Sequence, residues 1–308
     1  MQTNHISFPT TDRLTLPGLL YAPTTPTKAA VVWLHGMGDS GVFYSPKRIT
    51  ALAESLTKRD IALLAFNNRG AHNSKLLYRD DPNLKRSEQR YQAGTHNELI
   101  ADCVYDIDGA ALFLQELGYN QLHLAGHSTG ANKVAIYDRL QPINPFLKYV
   151  LAGPGDDVGL RYQELGTTKF WRSLDYARAA LAKGQPYKIM PLYSGLHPFS
   201  AQSAADILDP DGDYNVFSYY EAVHGALGSK PPLWQVSAIT RPMLVIAGQY
   251  DEATASAGGA KQALEIIHNH THSTAKSQSD FQIVADSDHS FHDAEADFSE
   301  RVAAWLNS

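Results

Sequence analysis

The amino-acid sequence predicts an α/β fold, a doubly wound, mostly parallel sheet with an inserted, mainly helical cap. Apolar runs of six or seven residues alternate with helix-like segments along most of the 308 residues. The runs are nearly continuous in apolar residues, as expected of parallel strands that helices cover on both faces. One stretch, residues 156–235, interrupts this alternation with several short helical patterns and is predicted to be the cap.

The predicted strands fall into two groups. Two segments near the N-terminus, "HISFPT" and "LTLPGLLYA", predict an antiparallel hairpin. Because helical segments separate the later apolar runs, crossover connections are expected to make those strands parallel. The predicted buried strands are residues 29–35, 61–66, 122–127, 147–153, 243–248 and 281–286.

The predicted helices are bounded by start and stop signals. Ser45 and Pro46 predict a helix over residues 46–59, with the serine as its cap and the proline in its first turn. A helical pattern over residues 97–117 stops at Gly118. Further helices are predicted near residues 130–140, 254–268 and 292–306.

Residues 1–155 and 236–308 are predicted to form the core domain, and residues 156–235 a cap or lid. The cap segment is richer in aromatic residues than the rest of the chain, which favours an insertion that covers a pocket over a solvated linker. Residues 70–96 are predicted to be a long polar connection after the second core strand.

Composition and charge exclude several classes of protein. With 26 basic and 32 acidic residues the net charge is −6, so we expect neither a nucleic-acid partner nor an anionic membrane partner. The apolar runs are too short to span a bilayer, and the N-terminus lacks the pattern of a cleavable signal. The single cysteine, Cys103, is expected to lie buried on a helix. We expect a cytoplasmic protein, and its oligomeric state stays open.

The segment "LHLAGHSTGANK" carries the pattern G-x-S-x-G directly after a predicted strand and before a predicted helix. In such a nucleophile elbow the serine occupies a sharp, strained turn that exposes its hydroxyl. Gly126 and Gly130 lack the Cβ atoms that would collide where the strand and the helix meet. We therefore predict that Ser128 is a catalytic nucleophile.

A serine hydroxyl becomes nucleophilic when a base takes its proton, and the base needs a carboxylate that orients it. In a doubly wound sheet these groups come from loops at the carboxyl ends of strands. Asp251 follows the strand "MLVIAG", and His289 follows the strand "FQIVAD". The chain order serine, aspartate, histidine is the order that this architecture uses. The predicted catalytic residues are Ser128, Asp251 and His289.

Other candidates for these roles were weighed. Asp156 and Asp157 follow the preceding core strand and remain alternatives for the acid. His292 is expected inside the last helix, and His127 adjoins the serine, so neither is predicted to reach the hydroxyl. Asp288 is predicted to be a solvated loop residue.

The first core strand ends in "WLHGMGDSG", which contains G-x-G-x-x-G, the pattern of dinucleotide sites. A dinucleotide site needs a helix that opens within the glycine run and an acidic residue that closes the next strand. Here the helix begins later, and the next strand ends in Asn67 and Asn68. The loop is instead predicted to form an oxyanion hole, with the backbone N–H groups of Met37 and Thr129 as donors.

His35, Arg69 and His127 are candidate substrate-binding residues. Arg69 follows a strand, where it either faces the pocket or anchors the long loop. No cofactor and no metal are expected. The histidines of "HNHTH" are typical of a solvated helix end, and "DPDGDY" has its glycine at the wrong place for a calcium loop.

Taken together, the motifs resemble the α/β-hydrolase superfamily: the His-Gly pair that opens the glycine loop, "GHSTG", Asp251 after its strand and His289 after the last strand. The resemblance covers most of residues 13–306 outside residues 156–235, where cap domains usually lie in that superfamily, and it implies the α/β-hydrolase fold. More narrowly, "NNRGAH" and "GTHNELIADCVYDI" resemble a branch that includes fungal siderophore esterases. That second resemblance implies ester hydrolysis on molecules that bear amides or hydroxamates.

The predicted function is that of a serine hydrolase, which cleaves a small-molecule carboxylic ester through an acyl-enzyme. The same machinery serves amidases, thioesterases and peptidases, and these alternatives stay open because leaving-group preference depends on the shape of the cap. A further alternative is a ligand-sensing protein that has little turnover and transmits a signal through cap movement.

Overall fold

The structure is a computed structural model that describes residues 1–43, 45–196 and 198–308. This part of the chain contains ten strands. Each predicted core strand corresponds to one of them within two residues at either end. The strands are β1 (Gln2–Pro9), β2 (Thr15–Ala22), β3 (Ala29–Leu34), β4 (Ile61–Phe66), β5 (Lys75–Tyr78), β6 (Arg90–Ala93), β7 (Gln121–His127), β8 (Phe146–Ala152), β9 (Met243–Gly248) and β10 (Asp280–Val284).

Eight of these strands form one sheet, in the order β1-β2-β4-β3-β7-β8-β9-β10. The hairpin of β1 and β2 is antiparallel, and β2 also pairs antiparallel with β4. From β4 to β10 every neighbouring pair is parallel. The predicted doubly wound, mostly parallel sheet is confirmed. The polar connection over residues 70–96 is not unstructured, because β5 and β6 form a separate antiparallel hairpin within it.

Helices connect the strands and fill the insertion between β8 and β9. Short 3-10 helices add Ile100–Asp102, Leu192–Ser194 and Glu252–Ala257. The α-helices of the described ranges are α1 (Pro46–Thr57), α2 (Cys103–Glu116), α3 (Thr129–Leu140), α4 (Asp157–Ala182), α5 (Ala201–Leu208), α6 (Tyr219–His224), α7 (Trp234–Ala238), α8 (Ala260–His270), α9 (Ser273–Lys276) and α10 (Glu295–Leu306).

Helix boundaries differ from the prediction at four places. The helix predicted near residues 254–268 is a 3-10 helix, Glu252–Ala257, followed by α8. Ser45 has φ 46° and ψ 46° and makes no side-chain capping bond, because a capping serine needs an extended backbone. Residues 97–99 of the helix predicted from residue 97 lie outside any helix, Ile100–Asp102 form a 3-10 helix, and α2 begins after it. The last helix, α10, begins after His292, whose Nδ1 lies 2.7 Å from Oδ2 of Asp288. The predicted stop at Gly118 is confirmed by its φ of 91°.

Apolar side chains cover both faces of the sheet. Along β3, Ala30, Val32 and Leu34 face a layer that includes α2, α3, α8 and helices of the insertion. Val31 and Trp33 face the opposite layer, formed by α1 and α10. Because each central strand is buried on both faces, its sequence reads as a continuous apolar run.

The insertion is helical, as predicted, and contains α4 to α7. It is attached to the core by polar contacts: Ser203 Oγ donates to the Thr95 carbonyl at 3.0 Å, and the Ile100 N–H donates to Asp206 at 2.7 Å. At Gly166 a φ of 71° and a ψ of 158° break α4 into two helical parts. Whether residues 156–235 act as one movable cap stays a prediction.

Two further expectations concern individual features of the chain. Cys103 is buried at the start of α2, as expected. Among the described residues, no helix has the length and apolarity needed to cross a bilayer.

Candidate active site

Ser128 lies on a strained turn between β7 and α3. Its φ of 57° and ψ of −127° belong to a region that side-chain-bearing residues rarely adopt. The turn is held because the Ser128 N–H donates to the Ala152 carbonyl at 2.9 Å, which continues the pairing of β7 with β8. The side chain is half-buried and lines a pocket. The sequence predicted this strained turn from the glycine spacing.

Three glycines, Gly36, Gly126 and Gly130, lie next to the turn, and a Cβ on any of them would collide with neighbouring atoms. A Cβ on Gly126 would lie 2.1 Å from the Gly130 carbonyl oxygen, and one on Gly130 would lie 2.3 Å from the Leu34 carbonyl oxygen. A Cβ on Gly36 would lie 2.9 Å from Cβ of Ser128. The strand, the helix and the loop after β3 therefore approach one another at backbone contact distance.

His289 and Asp251 form a hydrogen-bonded pair at the ends of β10 and β9. Nδ1 of His289 lies 2.7 Å from Oδ1 of Asp251. The same oxygen accepts the Ala253 N–H at 3.0 Å, which fixes the carboxylate at the start of a 3-10 turn. Burial by itself lowers the pKa of His289, but the hydrogen bond and negative charge of Asp251 outweigh this effect and raise that pKa above its ordinary value.

Ser128 and His289 line the same pocket, which has a volume of about 290 Å³. Among the hydrogen bonds of the described residues, none joins the Ser128 hydroxyl to the His289 ring. The pocket is lined by Gly36, Met37, Gly38, Asp39, Ser45, His127, Ser128, His289 and Ser290. All of these residues belong to the core rather than to the insertion, and all but His127, the last residue of β7, lie in loops.

The loop after β3 turns tightly next to Ser128. The Asp39 N–H donates to the Gly36 carbonyl at 3.3 Å, and Gly38 has a φ of 68°. Within the described ranges the Met37 N–H has no hydrogen-bond acceptor. Thr129 is the first residue of α3, where backbone N–H groups lack an intrahelical acceptor. The arrangement leaves two backbone N–H groups, those of Met37 and Thr129, without an acceptor among the described residues.

Two of the candidate substrate-binding residues do not face the pocket. Nδ1 of His35 lies 2.9 Å from the Gly36 carbonyl oxygen, and its Nε2 accepts the Asn68 N–H at 3.2 Å. Both ring nitrogens of the buried His35 are thus hydrogen-bonded to backbone groups. Burial keeps the pKa of His35 well below its ordinary value. Arg69 is 1% exposed and pairs with Asp106 and Asp12, each at 2.8 Å. The expectation that His35 and Arg69 contact substrate is therefore corrected, because both side chains bind groups inside the protein.

For Arg69 the structure corresponds to the alternative role, the anchor of the long loop. Its guanidinium also lies 5.3 Å from the ring centroid of Tyr91, in the hairpin of β5 and β6. An arginine that joins a strand end, a helix and a hairpin is satisfied by ion pairs and aromatic contacts.

His127 lines the pocket but points at the loop that carries His289. Its Nε2 lies 2.8 Å from the main-chain oxygen of His289, and the centroids of the two rings are 4.9 Å apart. Within the described residues neither the His127 ring nor the His289 ring is hydrogen-bonded to the Ser128 hydroxyl, but only the His289 ring is bonded to a carboxylate, so the expectation that His127 is not the base stays a prediction.

Asp156 and Asp157, the alternative acids, have other partners. The Asp156 carboxylate accepts from the N–H groups of Gly159 and Tyr220 and from the Ser256 hydroxyl. Asp157 accepts from the side chain of Asn132 at 3.0 Å. Burial raises the pKa of Asp156 to about 6 and that of Asp157 to about 7. Neither carboxylate is hydrogen-bonded to His289, so Asp251 is the acid that the geometry favours.

Arg48 is a residue near the site that the sequence analysis missed. Its Nη1 donates to the Ser290 carbonyl at 3.0 Å, and its Nη2 lies 3.4 Å from Asp39. Arg48 is buried on the same face of α1 as Leu52 and Leu56. A charged residue four and eight positions from buried leucines is a signal that would have singled it out, since a buried charge needs partners.

The site holds no obvious place for a metal ion. Over the described ranges, no group of three or more histidine, cysteine, aspartate or glutamate side chains is arranged to bind a metal.

Comparison with known proteins gives one family match. A family model described as Hydrolase_4: Serine aminopeptidase, S33 matches residues 25–292. No curated protein matches the chain by sequence.

Several solved structures share the fold over nearly the whole chain. An esterase from Pyrococcus furiosus has a TM-score of 0.60 and 15% identity, and the match covers 99% of this chain and 90% of that one. An α/β hydrolase from Penicillium sp. sh18 has a TM-score of 0.62 and 14% identity, with coverage of 99% and 98%. A proline iminopeptidase from Mycobacterium smegmatis has a TM-score of 0.56 and 16% identity, with coverage of 98% and 97%. At these identities the likeness concerns the fold alone.

Proposed function

The chain belongs to the Hydrolase_4 family (serine aminopeptidase, S33) of α/β hydrolases, and from that premise we propose that it is a serine hydrolase of small carboxylic esters. One observation carries the proposal. Ser128, on its strained turn, lines the same pocket as His289, and the ring of His289 is bonded to Asp251. This geometry supplies a nucleophile, a base and an orienting carboxylate.

In the acylation step, Oγ of Ser128 attacks the ester carbonyl while Nε2 of His289 takes the hydroxyl proton. The bond between Ser128 and His289 that this transfer requires forms as the substrate enters, since catalytic hydrogen bonds tighten in the reactive complex. Asp251 keeps the Nδ1 proton of His289 in place and stabilises the imidazolium. The imidazolium then protonates the leaving alcohol, and an acyl-enzyme remains.

In the deacylation step, His289 removes a proton from water, and the hydroxide formed attacks the acyl carbonyl. The ester bond to Ser128 breaks, and the serine oxygen regains its proton from the imidazolium. In both steps the negative oxygen of the tetrahedral intermediate is held by the N–H groups of Met37 and Thr129. These donors cost no reorganisation, because the turn at Gly36 and the helix start fix them beforehand.

The bond that is cleaved decides between the ester proposal and its alternatives. The esterase from Pyrococcus furiosus supports an ester, and the family description and the proline iminopeptidase support a peptide or amide. We favour the ester because it is the easier bond to break: an alcohol oxygen leaves the tetrahedral intermediate more readily than an amide nitrogen, which must be protonated first. The narrower substrate class, esters with amides or hydroxamates, stays a prediction from the resemblance to siderophore esterases.

The test combines active-site labelling with turnover. Wild type and Ser128→Ala are treated with a fluorophosphonate and assayed on an aryl ester, the matching anilide and an aminoacyl anilide. Labelling that depends on Ser128, with many turnovers of the ester and slower anilide cleavage, supports the proposal. Faster cleavage of the aminoacyl anilide makes the protein a peptidase. Labelling with a single slow turnover favours the ligand-sensing alternative.

A further inference from the structure

The segment that carries His289 lies outside regular secondary structure. It runs from the end of β10 to the start of α10, over residues 285–294. Asp286, Phe291 and Asp293 in this segment have φ values of 50°, 58° and 59°. Such a backbone persists only when surrounding contacts determine it. The direction of the His289 ring therefore depends on what holds the main chain on either side of it.

His127 supplies one of these contacts. Its Nε2 lies 2.8 Å from the main-chain oxygen of His289, and its ring packs 5.9 Å from the ring centroid of Phe291. The side chain is 4% exposed, and it projects from the same turn as Ser128. The residue before the nucleophile thus contacts the backbone of the residue that takes the proton.

The protonation state of His127 follows from its partners. A carbonyl oxygen only accepts hydrogen bonds, so Nε2 carries the proton, and Nδ1 is buried without a partner within the described ranges. Burial holds the pKa of His127 well below its ordinary value, and the positive charges of Arg48 and His289 act in the same direction. The other titratable group facing it is His35, which is also neutral. His127 is therefore a fixed neutral donor.

Arg48 holds the next carbonyl of the same segment. Its Nη1 donates to the main-chain oxygen of Ser290 at 3.0 Å. Two side chains from different elements thus bind successive main-chain carbonyls of residues 285–294. His127, at the end of β7, binds that of His289, and Arg48, on α1, binds that of Ser290. Two such contacts restrain both the position and the rotation of the peptide between them.

We propose that His127 is a positioning residue: its Nε2–H binds the main-chain oxygen of His289 and thereby aims the imidazole at Ser128. This inference rests on the proposed function for its catalytic consequence. The hydrogen bond makes no contact with substrate, so its loss lowers the rate of serine attack and leaves substrate binding nearly unchanged.

The test replaces the donor and then restores it. His127→Met removes the donor and keeps an apolar side chain of similar length. His127→Gln keeps an N–H donor at nearly the position of Nε2. His123→Met is the matched control, because His123 is a buried histidine on the same face of β7 that, among the described residues, makes no hydrogen bond to residues 285–294. If His127→Met does not fold, His127→Asn replaces it, since its shorter amide stops short of the carbonyl.

Two quantities are measured on each folded protein: the rate constant for phosphonylation of Ser128 by a fluorophosphonate, and the pKa of His289 by NMR titration. In His127→Met we expect phosphonylation about 10- to 100-fold slower, because small misplacements of a base cost that much. We also expect the pKa of His289 to fall toward its ordinary value as the bond to Asp251 loosens. Asp157 and Glu252 also face His289 and are unchanged in every variant.

His127→Gln should stay within about threefold of wild type, because the amide restores the donor. His123→Met should match wild type in both quantities. Equal values in His127→Met and His123→Met would overturn the proposal, as would failure of a folded His127→Gln to recover. If wild-type protein is neither phosphonylated nor active on esters, the proposed function fails, whereas the titration of His289 still decides whether His127 positions it.

Discussion

Nδ1 of His289 lies 2.7 Å from Oδ1 of Asp251, although 38 residues separate the two in the chain. They meet because β9 and β10 are parallel neighbours, which brings the loops after both strands to one edge of the sheet. The pair is well shielded, since the Asp251 side chain is fully buried and that of His289 is 15% exposed. A buried carboxylate bonded to a partly buried imidazole orients that ring.

Replacing Asp251 should remove most of the activity. Asp251→Asn keeps the size of the side chain but turns the acceptor into a group that favours the wrong imidazole tautomer, so we expect kcat to fall about 10,000-fold. Asp157→Asn is the control, because Asp157 bonds to Asn132 and not to His289. Its kcat should stay close to wild type. Steady-state assays on an aryl ester decide, and a larger loss in Asp157→Asn would assign the acid to that residue instead.

The dependence of activity on pH should report the pKa of His289. The base works only when unprotonated, and Asp251 raises that pKa above the ordinary value of 6.5. We therefore expect kcat/KM on a neutral ester to rise with pH through one ionisation whose midpoint lies above 6.5. The profile is measured from about pH 5 to pH 9 at constant ionic strength. A flat profile over that range contradicts a histidine base.

The strained backbone at Ser128 should be visible in stability. A φ of 57° with a ψ of −127° costs a side-chain-bearing residue about 1–3 kcal/mol, which glycine avoids. After the entropy cost of glycine, Ser128→Gly should be more stable than Ser128→Ala by about 1 kcal/mol. Both variants should lose at least about 1,000-fold in kcat. Urea unfolding of the two inactive proteins tests the difference, and equal midpoints count against strain at this turn.

The glycines of the elbow should tolerate no side chain. A Cβ on Gly130 would meet the Leu34 carbonyl oxygen at 2.3 Å, so Gly130→Ala should destabilise the fold by about 3 kcal/mol and lower activity. Gly184 lies outside the elbow and has no atom within 4 Å of its Cβ position, but its φ of 68° is left-handed, whereas Gly130 lies in α3. Gly184→Ala should therefore cost about 1 kcal/mol and leave kcat unchanged. Chemical denaturation compares the two, and the argument fails if they cost the same.

A half-buried carboxylate between the insertion and the core, that of Asp206, should make stability depend on pH. Burial raises the pKa of Asp206 from 3.8 to about 7, while its carboxylate accepts the Ile100 N–H. Because the folded state holds the proton more tightly than the unfolded state, the stability from Asp206 is complete below pH 3.8 and is lost as the pH rises through about 7.

Asp206→Asn keeps an acceptor for Ile100 and removes the titration. Its Tm should exceed that of wild type at about pH 8, and the gap should close at about pH 4. Thermal unfolding at both values checks the sign. If Asp206→Asn had a lower Tm than wild type at both pH values, the negative charge of Asp206 would not destabilise the folded protein.

Much of the fold was predictable because a strand buried on both faces appears in the sequence as a continuous apolar run. The runs at β3, β4 and β9 are continuous in apolar residues, and each became a central strand. The hairpin of β5 and β6 was missed because each strand has only four residues and one partly buried face, too short for an alternating pattern to stand out in the sequence.

The chemistry of side chains at strand ends was harder to predict where polar groups have several uses. Arg69 follows a strand as the predicted catalytic residues do, yet it lies in the interior, where it pairs with Asp106 and Asp12. Both ring nitrogens of His35 are likewise hydrogen-bonded to backbone groups. Position after a strand limits where a residue lies but not which way its side chain turns.

The sequence by itself determined the alternation of strands and helices, the elbow around Ser128, and the candidates Asp251 and His289, with Asp156 and Asp157 left open as acids, because these depend on local spacing and on the rule that loops follow strands. Only the tertiary structure decided that Asp251 rather than Asp156 bonds to His289, and that His127 and Arg48 hold the segment carrying it. Those choices depend on distances between elements far apart in the chain, and a hydrogen bond forms only where packing brings donor and acceptor within about 3 Å.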